Sequence, residues 1–130
     1  MTMESAITSG VKVTVNTRYM QEQSESGKGA FLFAYDVFIT NNNLYPVQLL
    51  SRHWIIYDSL FPKREIRGEG VVGEKPIIEP GETFRYQSFC DLHSSIGWMQ
   101  GEYLFRVDGN QQLLEVTIPK FELMLPEQMN

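Results

Sequence analysis

The chain has 130 residues, enough for one domain whose hydrophobic core closes without disulfides or metal. Hydrophobic residues make up 42% and charged residues 21%, which excludes disordered, collagen-like and fibrous classes. Sixteen acidic side chains against eleven basic ones leave a net charge of −5, the wrong sign for general attraction to nucleic acid or to an anionic membrane.

The opening residues Met1 to Gly10 have neither the positive start nor the apolar stretch of a secretion signal. They are expected as a short tail ahead of an ordered core over about residues 11–125 of a single domain, 1–130, in a cytoplasmic setting. Cys90 stands alone and has no partner for an internal disulfide. No apolar run approaches the roughly 20 residues of a membrane helix.

Val11, Val13 and Val15 alternate with Lys12, Thr14 and Asn16, the period of a strand with one dry face. Gln21 to Gly29 is polar and expected to be a mobile loop. Phe31 to Thr40 is apolar at nearly every position and rich in aromatic and β-branched residues, which favours a central strand. Pro46 to Asp58 reads as a further extended strand. Its two faces would be Val47, Leu49, Ser51, His53, Ile55, Tyr57 and Gln48, Leu50, Arg52, Trp54, Ile56, Asp58.

Alternation returns in the second half at Phe84 and Tyr86, at Tyr103, Phe105 and Val107, at Leu114, Val116 and Ile118, and at Phe121, Leu123 and Leu125. Glu79-Pro80-Gly81-Glu82 has the chemistry of a type II turn, and Asp108-Gly109-Asn110 reads as a hairpin loop. Asp91 to Met99 has room for one turn of helix, and Pro126 to Asn130 should fray. The fold class is all-β. Seven to nine short strands favour an immunoglobulin or fibronectin type III-like two-sheet β-sandwich, with a closed barrel as the alternative.

Gly68-Glu69-Gly70-Val71-Val72-Gly73 is a formal G-x-G-x-x-G. In a dinucleotide-binding fold that motif opens a helix, and the two prolines and the turn between residues 74 and 82 forbid one. A glycine loop between strands can still offer backbone N–H groups to an anion. Residues 52–75 carry five basic and four acidic side chains, a balance of +1, whereas the remainder carries six and twelve, −6. Arg67, Gly68, Gly70, Gly73 and Lys75 are therefore the candidate anion site; the alternative is a sharp turn between sheets with solvated charges.

Cys90 and His93 lie three apart, a spacing open to a metal or to a nucleophile and base, but the only other histidine is His53, and four structural metal ligands are not available from these types alone. His53 reads as a neutral imidazole bonded to a polar neighbour. Arg52 and Trp54, two apart on one strand face, place a guanidinium where it can stack on an indole and mark a candidate interaction face. No hydrolase, zinc-protease or P-loop motif occurs, so no catalytic residue, metal or cofactor is expected.

Val47 to Asp58, Gly68 to Pro76 and Ile78 to Glu82, in that order, closely resemble the ApaG family. The resemblance extends to Val11-Lys-Val-Thr-Val15, Phe33-Ala-Tyr35, the spacing of Gly97, Met99, Gly101 and Tyr103, and Val116 to Phe121. It implies a fibronectin type III-like fold, an association with cobalt and magnesium tolerance and with a diadenosine tetraphosphate hydrolase gene neighbourhood, and a relationship to domains of eukaryotic F-box and polymerase-interacting proteins. It also implies a pyrophosphate role for Gly68, Gly70 and Gly73. Phe89 to Ser95 departs from the family pattern of a Gly-x-Pro-Leu followed by Thr-Pro. Two functions follow as expectations: a non-enzymatic module that binds a protein partner or a second copy of itself as a homodimer, and alternatively a protein that holds pyrophosphate or a nucleotide polyphosphate.

Overall fold

The computed structural model describes residues 2–126; the expected fraying of the C-terminus falls mostly on 127–130, outside the described residues. The strands are β1 (Thr2–Thr8), β2 (Val11–Tyr19), β3 (Phe31–Asn41), β4 (Val47–Asp58), β5 (Phe61–Glu69), β6 (Ile77–Ile78), β7 (Thr83–Leu92), β8 (Ile96–Val107) and β9 (Leu113–Met124). Two antiparallel sheets, β1-β2-β3-β7 and β5-β4-β8-β9 with β6 added to β4, pack as the expected sandwich, and no α-helix occurs among the described residues.

The core lies between the sheets, where Val11, Val13, Val15, Phe33, Val37 and Ile39 of one meet Leu49, Trp54, Tyr103, Phe105, Val116 and Phe121 of the other. Period-two alternation selects these faces, and aromatic edges fill the middle: Trp54 meets Tyr35, Tyr103 and Phe121 at centroid distances of 5.5, 6.3 and 5.8 Å. The buried hydroxyls of Tyr86 and Tyr103 hydrogen-bond each other, so neither is left unsatisfied. Asn41, fully buried, donates to the carbonyls of Tyr45 and Ile78 at 2.8 and 2.9 Å and ties the β3–β4 connection to β6.

Two bulges keep the hydrophobic faces in phase. In β9 the run Ile118-Pro119 breaks the ladder, because proline cannot donate, and the register against β8 shifts between Met99 and Gly101. Leu114, Val116 and Ile118 on one parity and Phe121 and Leu123 on the other thus all face inward. In β4 the register against β8 shifts between Leu49 and Ser51, with Leu50 as the extra residue. The two faces expected from uninterrupted alternation are therefore wrong beyond this point: Val47 and Leu49 share the core with Trp54 and Ile56, while His53 turns outward.

Three further differences have physical causes. The expected N-terminal tail forms β1, whose residues pair with β2 from Thr2↔Thr17 to Thr8↔Val11; as an edge strand it displays little apolar alternation. The polar loop at 21–29 holds two short 3-10 turns, with Ser24 Oγ donating to the Met20 carbonyl at 2.7 Å and accepting from the Leu32 amide at 2.9 Å. Where a helical turn was allowed after Asp91, β7 continues to Leu92. The chain then bends around buried Asp58, which accepts the His93 amide at 2.7 Å and the Ser94 hydroxyl.

The sandwich is asymmetric at its sides. β9 lies against β1 and β2, where the Thr117 amide donates to Thr8 Oγ1 at 3.2 Å. On the opposite side the edges are β5 and β7, bridged by Arg64, which donates to the Asp91 carbonyl and lies 3.4 Å from its carboxylate.

Candidate functional site

The glycine motif begins inside β5, opposite β4, and ends in a tight turn. Gly68 pairs with Arg52, and a Cβ on Gly68 would sit 2.8 Å from the Arg52 Cζ, so a side chain there would push the guanidinium out of its crossing position. That guanidinium reaches past Gly68 and donates to the carbonyls of Glu69 and Gly70 at 3.0 and 2.8 Å. Gly70 has φ +61°, and a Cβ there would overlap the Glu74 carbonyl oxygen. Val72 at φ 43° and Gly73 at φ 80° form the turn, closed by the Val71 amide to the Glu74 carbonyl at 2.8 Å and the Glu74 amide to the Val71 carbonyl at 2.9 Å.

Three of the loop's amides have partners within the chain. The Gly70 amide donates to the Leu50 carbonyl at 2.8 Å, and the Val71 and Glu74 amides bond each other's carbonyls. Lys75 Nζ is 2.7 Å from Glu69 Oε2, a pairing that holds the Glu69 carboxyl below its usual range. The structure brings Arg67, Gly68, Gly70 and Lys75 to one end of β5, with Gly73 at the turn tip.

Beside this loop, on the outer face of the five-stranded sheet, lies a shallow groove of about 470 Å³ whose walls include His53, Arg67, Glu69, Glu102 and Glu115. His53 Nδ1 donates to Glu102 Oε1 at 2.6 Å; Nε2 is buried without a hydrogen-bond partner, with Glu65 Oε1 at 3.9 Å. Acidic groups thus balance or exceed the cations in the groove, an unfavourable field for a polyphosphate.

The expected interaction face is divided between two environments. Trp54 is 3% exposed and sits in the core, because the Leu50 bulge turns its parity inward, so it cannot present a surface. Arg52 clamps the glycine loop instead of covering an exposed indole. Cys90 and His93 are likewise separated in role: burial pushes the Cys90 thiol up to about 12, with Arg64 offsetting only part of that shift, while the His93 ring packs on Phe61 at 5.3 Å. Among the described residues no group of three or more His, Cys, Asp and Glu side chains is placed to hold a metal ion. No helix there is long and apolar enough to cross a membrane.

The feature that sequence reasoning missed is β5 itself. Its apolar residues Phe61 and Ile66 do not alternate, and both stay half-exposed, at 49% and 42%. Its direction of bonding follows from one contact. Since the Gly70 amide bonds Leu50 of β4, the alternate residues Gly68, Ile66 and Arg64 also turn their backbone groups to β4, while Glu69, Arg67 and Glu65 turn theirs away; beyond Arg64 the register shifts, with Pro62 and Lys63 opposite Tyr57. Among the described residues no strand pairs with that outer edge; the Glu69 carbonyl at its end accepts from the Arg52 guanidinium at 3.0 Å. The signal present in the sequence was charge: Lys63, Glu65, Arg67 and Glu69 alternate in sign at every second residue.

The ApaG domain model matches residues 21–107, which include β3 to β8 and the glycine loop. Protein ApaG of Anaeromyxobacter dehalogenans is 45% identical over 129 residues, 98% of this chain and 100% of that protein. Protein ApaG of Brucella canis is 43% identical over 126 residues, 97% of this chain and 96% of its own. The crystal structure of a candidate ApaA protein from Bordetella pertussis superposes with a TM-score of 0.86 at 45% identity, covering 89% of this chain and 94% of that one. The chain belongs to the ApaG family.

Proposed function

We propose that this protein is a non-catalytic binding module that recognises an extended strand of a partner protein along the outer edge of β5. One observation carries the reading: the edge turns the backbone groups of Glu65, Arg67 and Glu69 outward beside a groove and two half-exposed apolar side chains. Strand addition obtains affinity from main-chain bonds and specificity from alternate side chains, and β5 offers both. The absence of any catalytic motif in the sequence agrees with it. A cytoplasmic setting is part of the same reading, supported by the single buried thiol.

Glu65→Pro tests the edge, because it deletes an outward amide while leaving the β4 ladder intact. A partner retained from a native lysate by the parent chain and lost with Glu65→Pro, at unchanged melting temperature, is the expected result. Equal retention by both chains, or retention by neither, overturns the reading. The anion function makes a different prediction, namely amide shifts at Gly68, Gly70 and Gly73 with millimolar pyrophosphate. The intrachain bonds of Gly70, Val71 and Glu74 and the Lys75–Glu69 pair argue for a flat titration.

A further inference from the structure

Resting on the edge-docking reading, we propose that the strand β5 accepts is β5 of a second copy, paired antiparallel about a twofold axis at Ile66, so that two five-stranded sheets join into one. Two constraints on the page select this arrangement. The first is backbone parity. A new ladder can use only the outward groups of Glu65, Arg67 and Glu69, so odd-numbered residues must face odd-numbered residues. A twofold axis can then pass only through a residue and not between two.

The second constraint is charge. An axis at Glu65 sets Glu65 against its copy and Lys63 against Arg67, all like charges. An axis at Arg67 opposes two arginines and places Glu65 against Glu69. An axis at Arg64 pairs Lys63 with Glu65 but stacks two Arg64 side chains on the inner face. An axis at Gly68 pairs Arg67 with Glu69 but keeps only residues 67–69 of β5 in the ladder. The axis at Ile66 opposes no two like charges of β5 across residues 63–69: Glu65 meets Arg67, Lys63 meets Glu69, whose carboxylate Lys75 shares at 2.7 Å, Ile66 meets Ile66, and Arg64 meets Gly68, over which Arg52 lies, each charged pair occurring twice by symmetry.

The free chain is prepared for this pairing. Among the described residues Lys63 and Arg67 have no carboxylate within ion-pair distance of their own chain, unlike Lys75, Arg64 and Arg85. Ile66 lies opposite Trp54 on the inner face and is 42% exposed, so a copy of itself at the non-hydrogen-bonded position removes apolar surface from water. The alternating charges guard the edge against other registers, the role such residues have on natural edge strands, and leave one register open. The segment is short, which places the association among transient ones, half-complete at roughly 10–100 µM.

Sedimentation velocity from about 5 µM to 1 mM tests the proposal on the full chain. The parent protein should shift from monomer to dimer. Glu65→Arg and Arg67→Glu, each converting two symmetric attractions into repulsions, should weaken association about tenfold, and the double reversal should restore it to within about twofold of the parent. Recovery in the double variant separates pairing from misfolding, and unchanged circular dichroism checks each single variant. A monomer at every concentration overturns the proposal, as does a dimer indifferent to the reversals or one that the double reversal leaves weak. If the chain is monomeric while Glu65→Pro still abolishes capture of another protein, self-pairing fails and the edge-docking function stands.

Discussion

Arg52→Ala is the sharpest test of how the glycine loop is held. The guanidinium donates to the Glu69 carbonyl at 3.0 Å in an exposed position and to the Gly70 carbonyl at 2.8 Å in a partly buried one. A hydrogen bond from a charged donor contributes about 1.5–3 kcal/mol when shielded, but an exposed carbonyl recovers water and loses little. The buried member then contributes about 1.5 kcal/mol, and the guanidinium stacked over Gly68 adds about 0.5, for roughly 2 kcal/mol in all. In urea, with a slope of about 1–3 kcal/mol per molar for a small protein, the midpoint should fall by about 1 M at unchanged slope. Arg52→Lys should recover less than half, because an ammonium cannot span two carbonyls as a guanidinium does. Amide exchange from Gly70 to Glu74 should accelerate in both variants. A midpoint unmoved by Arg52→Ala, with exchange in the loop unchanged, would refute the clamp and return Arg52 to the solvent.

Gly70→Ala forces a side chain into φ +61° and onto the Glu74 carbonyl, and should cost about 2 kcal/mol or more, read as a lowered urea midpoint. Asn41→Ala removes two donated bonds and the acceptor of the Asn43 amide at 3.0 Å from a fully buried site, with an expected loss of about 2–4 kcal/mol in the same assay. Cys90 gives a pH prediction. Folding raises its pKa from about 9 to about 12, so the folded state keeps a proton that the unfolded state releases. Its stabilisation is complete below pH 9 and is lost as pH rises toward 12. Cys90→Ala should flatten part of that decline, and the native thiol should react with a thiol reagent at neutral pH only as fast as the protein opens.

The sandwich was legible because most of its strands display one dry face. Val11, Val13 and Val15 and the aromatic alternation of Tyr103 and Phe105 mark core strands without any knowledge of partners. The phase change in β9 could also be read, since Pro119 both ends one alternation and explains the next. The change in β4 could not: Leu49 and Leu50 are both apolar, and only the pairing with β8 decides which is the bulge. That one residue moved Trp54 from a supposed surface into the core and His53 from an apolar face to a polar one. β1 and β5 escaped for a different reason. Edge strands bury little, so they carry little periodicity, and in β5 the information lies in charge alternation, which becomes meaningful only when the edge is known to be unpaired.

The glycine motif shows the opposite limit. Its spacing is that of a phosphate cradle, but spacing does not say where the amides point. The Leu50 carbonyl and the Val71–Glu74 turn take the Gly70, Val71 and Glu74 amides, Arg52, from a strand 16 residues earlier, caps the Glu69 and Gly70 carbonyls, and the glycines are explained by a crossing guanidinium and a left-handed turn.

The direct measurement is residue-resolved amide exchange over a concentration series. Arg64, Ile66 and Gly68, bonded to β4, should be protected at every concentration. Glu65 and Arg67, turned outward, should exchange freely when dilute and gain protection together as the protein is concentrated. Outward amides that stay unprotected up to about 1 mM, well above the roughly 10–100 µM range expected for a transient interface, would contradict the account.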